Sequence, residues 1–161
     1  MPRRDSCATR CAGGYIWYNG AKYYQVNWLE EAYYHCGNAE ERFDLAMRLA
    51  NMLQGGGMVY YCGRPYNETD WLLEAFSNAC GQDAVDVALR LADELGDSDW
   101  ASYLGRKMYA GDWLACAFDV ARGYQRREIA RELAKWCAAN NASALYGGRY
   151  CDADYWFDMC S

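Results

Sequence analysis

Asp112-Trp113-Leu114, followed by Ala117-Phe118, Gly123, Glu128-Ile129-Ala130 and Leu133-Ala134, is one of three copies of the same run in this chain. Upstream stand Asp70-Trp71-Leu72, Ala75-Phe76, Gly81, Asp86-Val87-Ala88 and Leu91-Ala92, and before them Asn27-Trp28-Leu29, Ala32-Tyr33, Gly37, Asp44-Leu45-Ala46 and Leu49-Ala50. The period is 42 to 43 residues, and self-similarity at such a period is the signature of a repeat architecture. Ahead of each tryptophan lies a further element, Tyr18-x-Gly20-x-x-Tyr23, Tyr61-x-Gly63-x-x-Tyr66 and Tyr103-x-Gly105-x-x-Met108. A truncated fourth copy shows in Gly147, Tyr150 and Asp154-Tyr155-Trp156.

Apolar residues recur every three to four positions in both blocks, which predicts a turn or short hairpin followed by two helices per unit. Asn27, Asp70, Asp112 and Asp154 stand where an N-cap belongs, and Asn27 with Glu30 has capping-box spacing. Gly37, Gly81 and Gly123 are expected to close the first helix in the left-handed conformation. The second helix should bury Ala46, Leu49, Ala50 and Leu53, then Ala88, Leu91, Ala92 and Leu95, then Ala130, Leu133, Ala134 and Cys137. The fold class expected is mainly α, an α-solenoid of turn/hairpin-helix-helix repeats forming one domain over 1–161. Its parts are an N-terminal cap at 1–12, repeats at about 13–54, 55–97 and 98–140, and a truncated repeat at 141–161.

The best copy, with Leu114, Ala117, Gly123, Glu128, Ile129 and Leu133, resembles an ankyrin-type array, with Asp-Trp-Leu in place of that family's Thr-Pro-Leu-His opening. A shorter resemblance, through Leu104-Gly105 and Tyr109-x-Gly111, is to Sel1-like helical repeats. Both resemblances imply a protein-binding scaffold.

The chain of 161 residues is 53% hydrophobic and carries a net charge of −6, which excludes an intrinsically disordered chain. No run of about 18 uninterrupted apolar residues offers a membrane span. The acidic balance argues against direct nucleic-acid binding, and a polar N-terminus with nine cysteines reads as a reduced, cytoplasmic chain.

Chemistry-bearing patterns are sparse. The cysteines are read as core residues, with no Cys-x-x-Cys pair to suggest zinc, although Cys7 with Cys11 or Cys151 with Cys160 could bridge or bind metal. His35 is the one histidine, and beside Cys36 on a helix it points elsewhere. Gly55-Gly56-Gly57 lacks the Lys-Ser/Thr of a phosphate loop and reads as a turn. No catalytic residue, metal or cofactor is assigned.

Aromatic residues gather in the turn elements, where tyrosine and tryptophan make binding hot spots or pack a hairpin. Residues 63–104 carry two basic side chains against nine carboxylates, net −7, and residues 105–147 seven against four, net +3. The expected function is a non-enzymatic protein-binding module using the exposed tips Tyr24, Tyr60, Arg64, Tyr66, Lys107 and Tyr109. Asp93, Glu94, Asp97 and Asp99 form a second, acidic face. The charge asymmetry leaves self-association open. The alternative is an acidic nucleic-acid mimic that inhibits a nucleic-acid-binding or host-defence protein.

Overall fold

The computed structural model describes residues 14–161, so the N-terminal cap expected at 1–12, with Cys7 and Cys11, lies outside the described residues. The chain is mainly α, with four separate two-stranded antiparallel hairpins among the described residues. It forms two compact units, Met1–Asn78 and Ala79–Ser161.

In the first unit, β1 (Tyr15–Tyr18) and β2 (Ala21–Tyr24) precede α1 (Gln25–His35) and α2 (Ala39–Met52). Then β3 (Val59–Tyr61), β4 (Arg64–Tyr66) and α3 (Glu68–Asn78) follow. The second unit runs α4 (Gln82–Leu95), β5 (Trp100–Tyr103), β6 (Arg106–Tyr109), α5 (Ala110–Val120), α6 (Gly123–Asn140), β7 (Ala144–Tyr146), β8 (Arg149–Cys151) and α7 (Ala153–Met159). Helix α2 packs on α3 in the first unit, as do α4 on α5 and α6 on α7 in the second. The expected stripe on each second helix, from Ala46 to Leu53, Ala88 to Leu95 and Ala130 to Cys137, is buried. Small alanines within those stripes let the helix axes approach closely.

Each hairpin closes through a two-residue turn with both residues at positive φ, the type I′ geometry that matches strand twist. The pairs are Asn19-Gly20, Cys62-Gly63, Leu104-Gly105 and Gly147-Gly148. Below each hairpin a tryptophan is buried among tyrosines. Trp28 lies 4.5 Å from Tyr23 and 5.2 Å from Tyr18, ring centre to ring centre. Trp71 lies 4.8 Å from Tyr66, 5.3 Å from Tyr61 and 5.2 Å from Tyr33.

A side chain from the preceding repeat completes these clusters. Tyr33 of α1 reaches Trp71, and Phe118 of α5 reaches Trp156 at 5.1 Å. An arginine from the second helix covers each: Arg42 sits 3.9 Å over Tyr33, and Arg126 sits 4.1 Å over Phe118 while donating to the Tyr146 hydroxyl at 3.2 Å. Repeat thus joins repeat through a stacked arginine and ring.

Two expectations are corrected. Asn27, Asp70 and Asp112 are third residues of their helices rather than caps; their side chains accept from the backbone N–H of Tyr24, Asn67 and Tyr109 at 2.7, 3.0 and 3.0 Å. The partner of Asn27 is therefore residue 24, not Glu30. In the last copy the cap is Asp152, which accepts from the Tyr155 N–H, and Asp154 lies inside the helix. The helices begin earlier because the hairpin strand runs straight into them.

The conserved-phase glycines do not end the first helices either. Gly37 has no positive φ, Gly81 caps the start of α4 and Gly123 opens α6. Arginines satisfy the terminal carbonyls instead: Arg42 donates to the Tyr33 and Cys36 oxygens, and Arg122 to those of Asp119, Val120 and Ala121.

Candidate functional site

Strand alternation gives each hairpin an inner and an outer face. The paired residues Val59 and Tyr66, Ala101 and Met108, and Ala144 and Cys151 point inward and are buried. The outer pairs are Trp17 with Lys22, Tyr60 with Pro65, Ser102 with Lys107, and Leu145 with Tyr150. Trp17 and Tyr60 are each 64% exposed and Tyr150 is 72% exposed. The outer faces also hold cations: the Lys22 ammonium lies 4.6 Å over Tyr15, and that of Lys107 lies 4.5 Å over Trp100.

Of the expected tips, Tyr24, Tyr60, Arg64, Lys107 and Tyr109 are exposed. Tyr66 is not: it is 8% exposed, on the inner face, with the Arg64 guanidinium 4.2 Å above its ring. Its aromatic ring fills the space that Met108 and Cys151 fill in the later hairpins, so it belongs to the core.

The second unit brings three of the expected residues together. Asp97, Lys107 and Tyr109 border a cleft of about 360 Å³ with Asp112, Trp136, Asn140 and Tyr150. Its floor is fixed by hydrogen bonds: Asp112 accepts from the N–H groups of Tyr109 and Leu145 at 3.0 and 3.1 Å, and Asn140 donates to the Trp136 carbonyl at 2.9 Å. Trp136 also borders a second cleft, about 380 Å³, with Leu89, Ala92, Asp93, Asp97, Leu114 and Lys135. Asp93, Glu94, Asp97 and Asp99 are all exposed, but only Asp93 and Asp97 border these clefts.

Trp136 was not among the expected site residues. It is half-buried, its indole N–H donates to the Gly96 carbonyl at 3.4 Å, and its ring lies against Gly111. A signal existed in the repeat: Gly111 replaces Val26 and Thr69, while Trp136 replaces Met52 and Glu94. Two departures in one copy, large at one position and minimal at another, mark a paired change.

A smaller cleft of about 250 Å³ in the first unit is bordered by Glu30, Glu31, Tyr34, His35 and Cys62. His35 is exposed, with Nε2 3.9 Å from a Glu31 oxygen. Burial, followed by the charge of Glu31, raises the Glu30 carboxyl above the ordinary carboxylate range. Among the described residues no three His, Cys, Asp or Glu side chains are grouped to hold a metal.

The expectation that the cysteines are core residues holds for Cys137 and Cys151 and is corrected for the other five described. Cys62 and Cys80 are exposed and Cys36, Cys116 and Cys160 half-buried; Cys137 and Cys151 are buried. All seven are free thiols. Burial pushes the Cys116 and Cys137 thiols up to about 11, so neither is poised as a nucleophile. No helix among the described residues is long and apolar enough to cross a membrane.

Comparison with known proteins finds no family model, curated protein or solved structure that matches the chain.

Proposed function

We propose that this chain is a non-enzymatic protein-binding module, a helical repeat array of solenoid type that resembles ankyrin arrays, contacting its partner through the outer faces of its hairpins. The observation that carries the reading is the strand alternation: the inner residues fill the core, while Trp17, Tyr60 and Trp100 stay exposed on the outer faces. Rigid aromatic side chains on a fixed scaffold lose little entropy on binding and supply large contact area. Leu104 supports the reading further, being 87% exposed in a backbone conformation that disfavours leucine.

The test is capture of a partner by the purified, reduced protein at low and high salt. Trp17→Ser, Tyr60→Ser and Trp100→Ser together should abolish capture with helical circular dichroism unchanged. Undiminished capture by the triple variant would refute the hairpin assignment. Tyr66 is unsuited to this test because its loss would hollow the core.

The second reading, an acidic nucleic-acid mimic, is favoured by the exposure of Asp93, Glu94, Asp97 and Asp99. It predicts that nucleic-acid-handling proteins are captured and released by salt.

A further inference from the structure

We propose that the two clefts bordered by Trp136 seat an arginine side chain of the partner polypeptide. The inference rests on the protein-binding reading and names the chemistry of one contact. Trp136 is held from two sides, by its hydrogen bond to the Gly96 carbonyl and by Gly111 beneath its ring. It is thus a preorganised aromatic platform rather than a loose surface side chain. The bond to Gly96 sets the indole beside the next residue, Asp97, which borders both clefts. Asp93 borders the larger one, four residues earlier in the chain.

The charge of the region decides the occupant. Lys135 is engaged by Glu132 at 3.6 Å, Lys107 lies over Trp100, and Asp112 already accepts two backbone N–H groups. Asp93 and Asp97 have no ion pair or hydrogen bond among the described residues, and the two clefts together are bordered by the carboxylates of Asp93, Asp97, Asp112 and Glu132 against Lys107 and Lys135, so the net charge around Trp136 is negative. A guanidinium fits this combination better than an ammonium, because its plane stacks on an indole while its edge donates to carboxylates. Leu89, Ala92 and Leu114 offer apolar surface for the aliphatic stem. Acidic or purely apolar segments would leave the two carboxylates opposed or desolvated.

The experiment is a ¹H–¹⁵N NMR titration at low salt, with the Trp136 indole resonance identified by its loss in Trp136→Phe. The probe is a Gly/Ser hexapeptide containing two arginines, with the same peptide carrying citrulline as control. The arginine peptide should shift the Trp136 indole and Gly96 amide saturably, and citrulline should not. Asp93→Asn with Asp97→Asn should weaken binding about tenfold, since each exposed carboxylate contributes a few-fold. Both side chains are exposed, so the doubly substituted protein should keep its spectrum. An absent shift, an equal response to citrulline or an unchanged affinity in the double variant would overturn the proposal. So would a Trp136 resonance that moves with protein concentration alone, which would assign the face to a second copy. The hairpin triple variant separates the two readings: capture that survives in it, with the arginine shift present, refutes the hairpin reading alone, whereas capture lost in it, with no arginine shift in the unsubstituted protein, refutes the arginine site alone.

Discussion

The indole of Trp136 lies so close to the backbone of Gly111 that a β-carbon added there would stand 2.5 Å from two of its ring carbons. Two effects oppose each other on Gly111→Ala. Alanine is the better helix former by about 1 kcal/mol, while forcing a side chain into an occupied space costs typically about 1–3 kcal/mol. At 2.5 Å the clash dominates, so Gly111→Ala should lower stability in urea unfolding. In a Trp136→Ala background the same change should become stabilising, and a coupling near zero in the double-mutant cycle would show that the ring moves aside freely.

The hairpin turns carry a removable strain. Leu104 has φ +50° at the first turn position, where Asn19 and Gly147 stand in two other hairpins. Left-handed backbone costs a residue with a bulky side chain about 1–2 kcal/mol, and Leu104 is exposed. Leu104→Asn should therefore raise stability by about 1 kcal/mol, read as a higher urea midpoint at unchanged slope. If Leu104 also contacts the partner, that variant will be more stable and bind less tightly.

The hydroxyl of Tyr33 donates to Glu74 at 2.5 Å and accepts from the Asn78 side chain at 3.3 Å. Phe76 and Phe118 hold the corresponding positions, so the ring is what the repeat requires. Tyr33→Phe should cost about 1–2 kcal/mol, because it removes the charge-assisted hydrogen bond to Glu74 together with the longer one from Asn78. Phe118→Ala should cost about 3–5 kcal/mol, because it empties the aromatic contact with Trp156 and Tyr146. Thermal unfolding of the two variants side by side gives the ratio.

Alkali should unfold this protein early. Burial raises the Cys116 and Cys137 thiols from about 9 to about 11, and burial, then the bond to Glu74, raises the Tyr33 hydroxyl further. The folded state favours the protonated forms, so their contribution is complete below the unfolded pKa and is lost as pH climbs through the folded one. The melting temperature should fall between pH 9 and 11, and fall less in Cys116→Ala with Cys137→Ala. At pH 8, iodoacetamide should modify Cys62 and Cys80 and spare Cys137, which peptide mass mapping would read directly.

The repeat and its helix stripes were legible because burial on a helix face requires one residue type every three to four positions, and Leu49, Leu91 and Leu133 keep that demand at fixed spacing. The hairpins were legible in their glycines, since only a few residues tolerate the turn. The helix starts were misplaced by three because Asn27, Asp70 and Asp112 suit both a cap and a third position; which one they hold depends on where the preceding strand ends. Tyr66 was misread for a related reason. Alternation fixes which residues share a face, but not which face meets the core.

The sequence by itself determined the period, the mainly helical class and the small-residue positions at which helices meet, since these are local or periodic constraints. Only the tertiary structure decided which aromatics line the core and which stay outside. It alone brought Asp97, Lys107 and Tyr109 to a cleft with Trp136 from a later helix. Such meetings depend on how packed elements turn relative to one another, and a difference of one residue in where a helix begins rotates a side chain by about 100°.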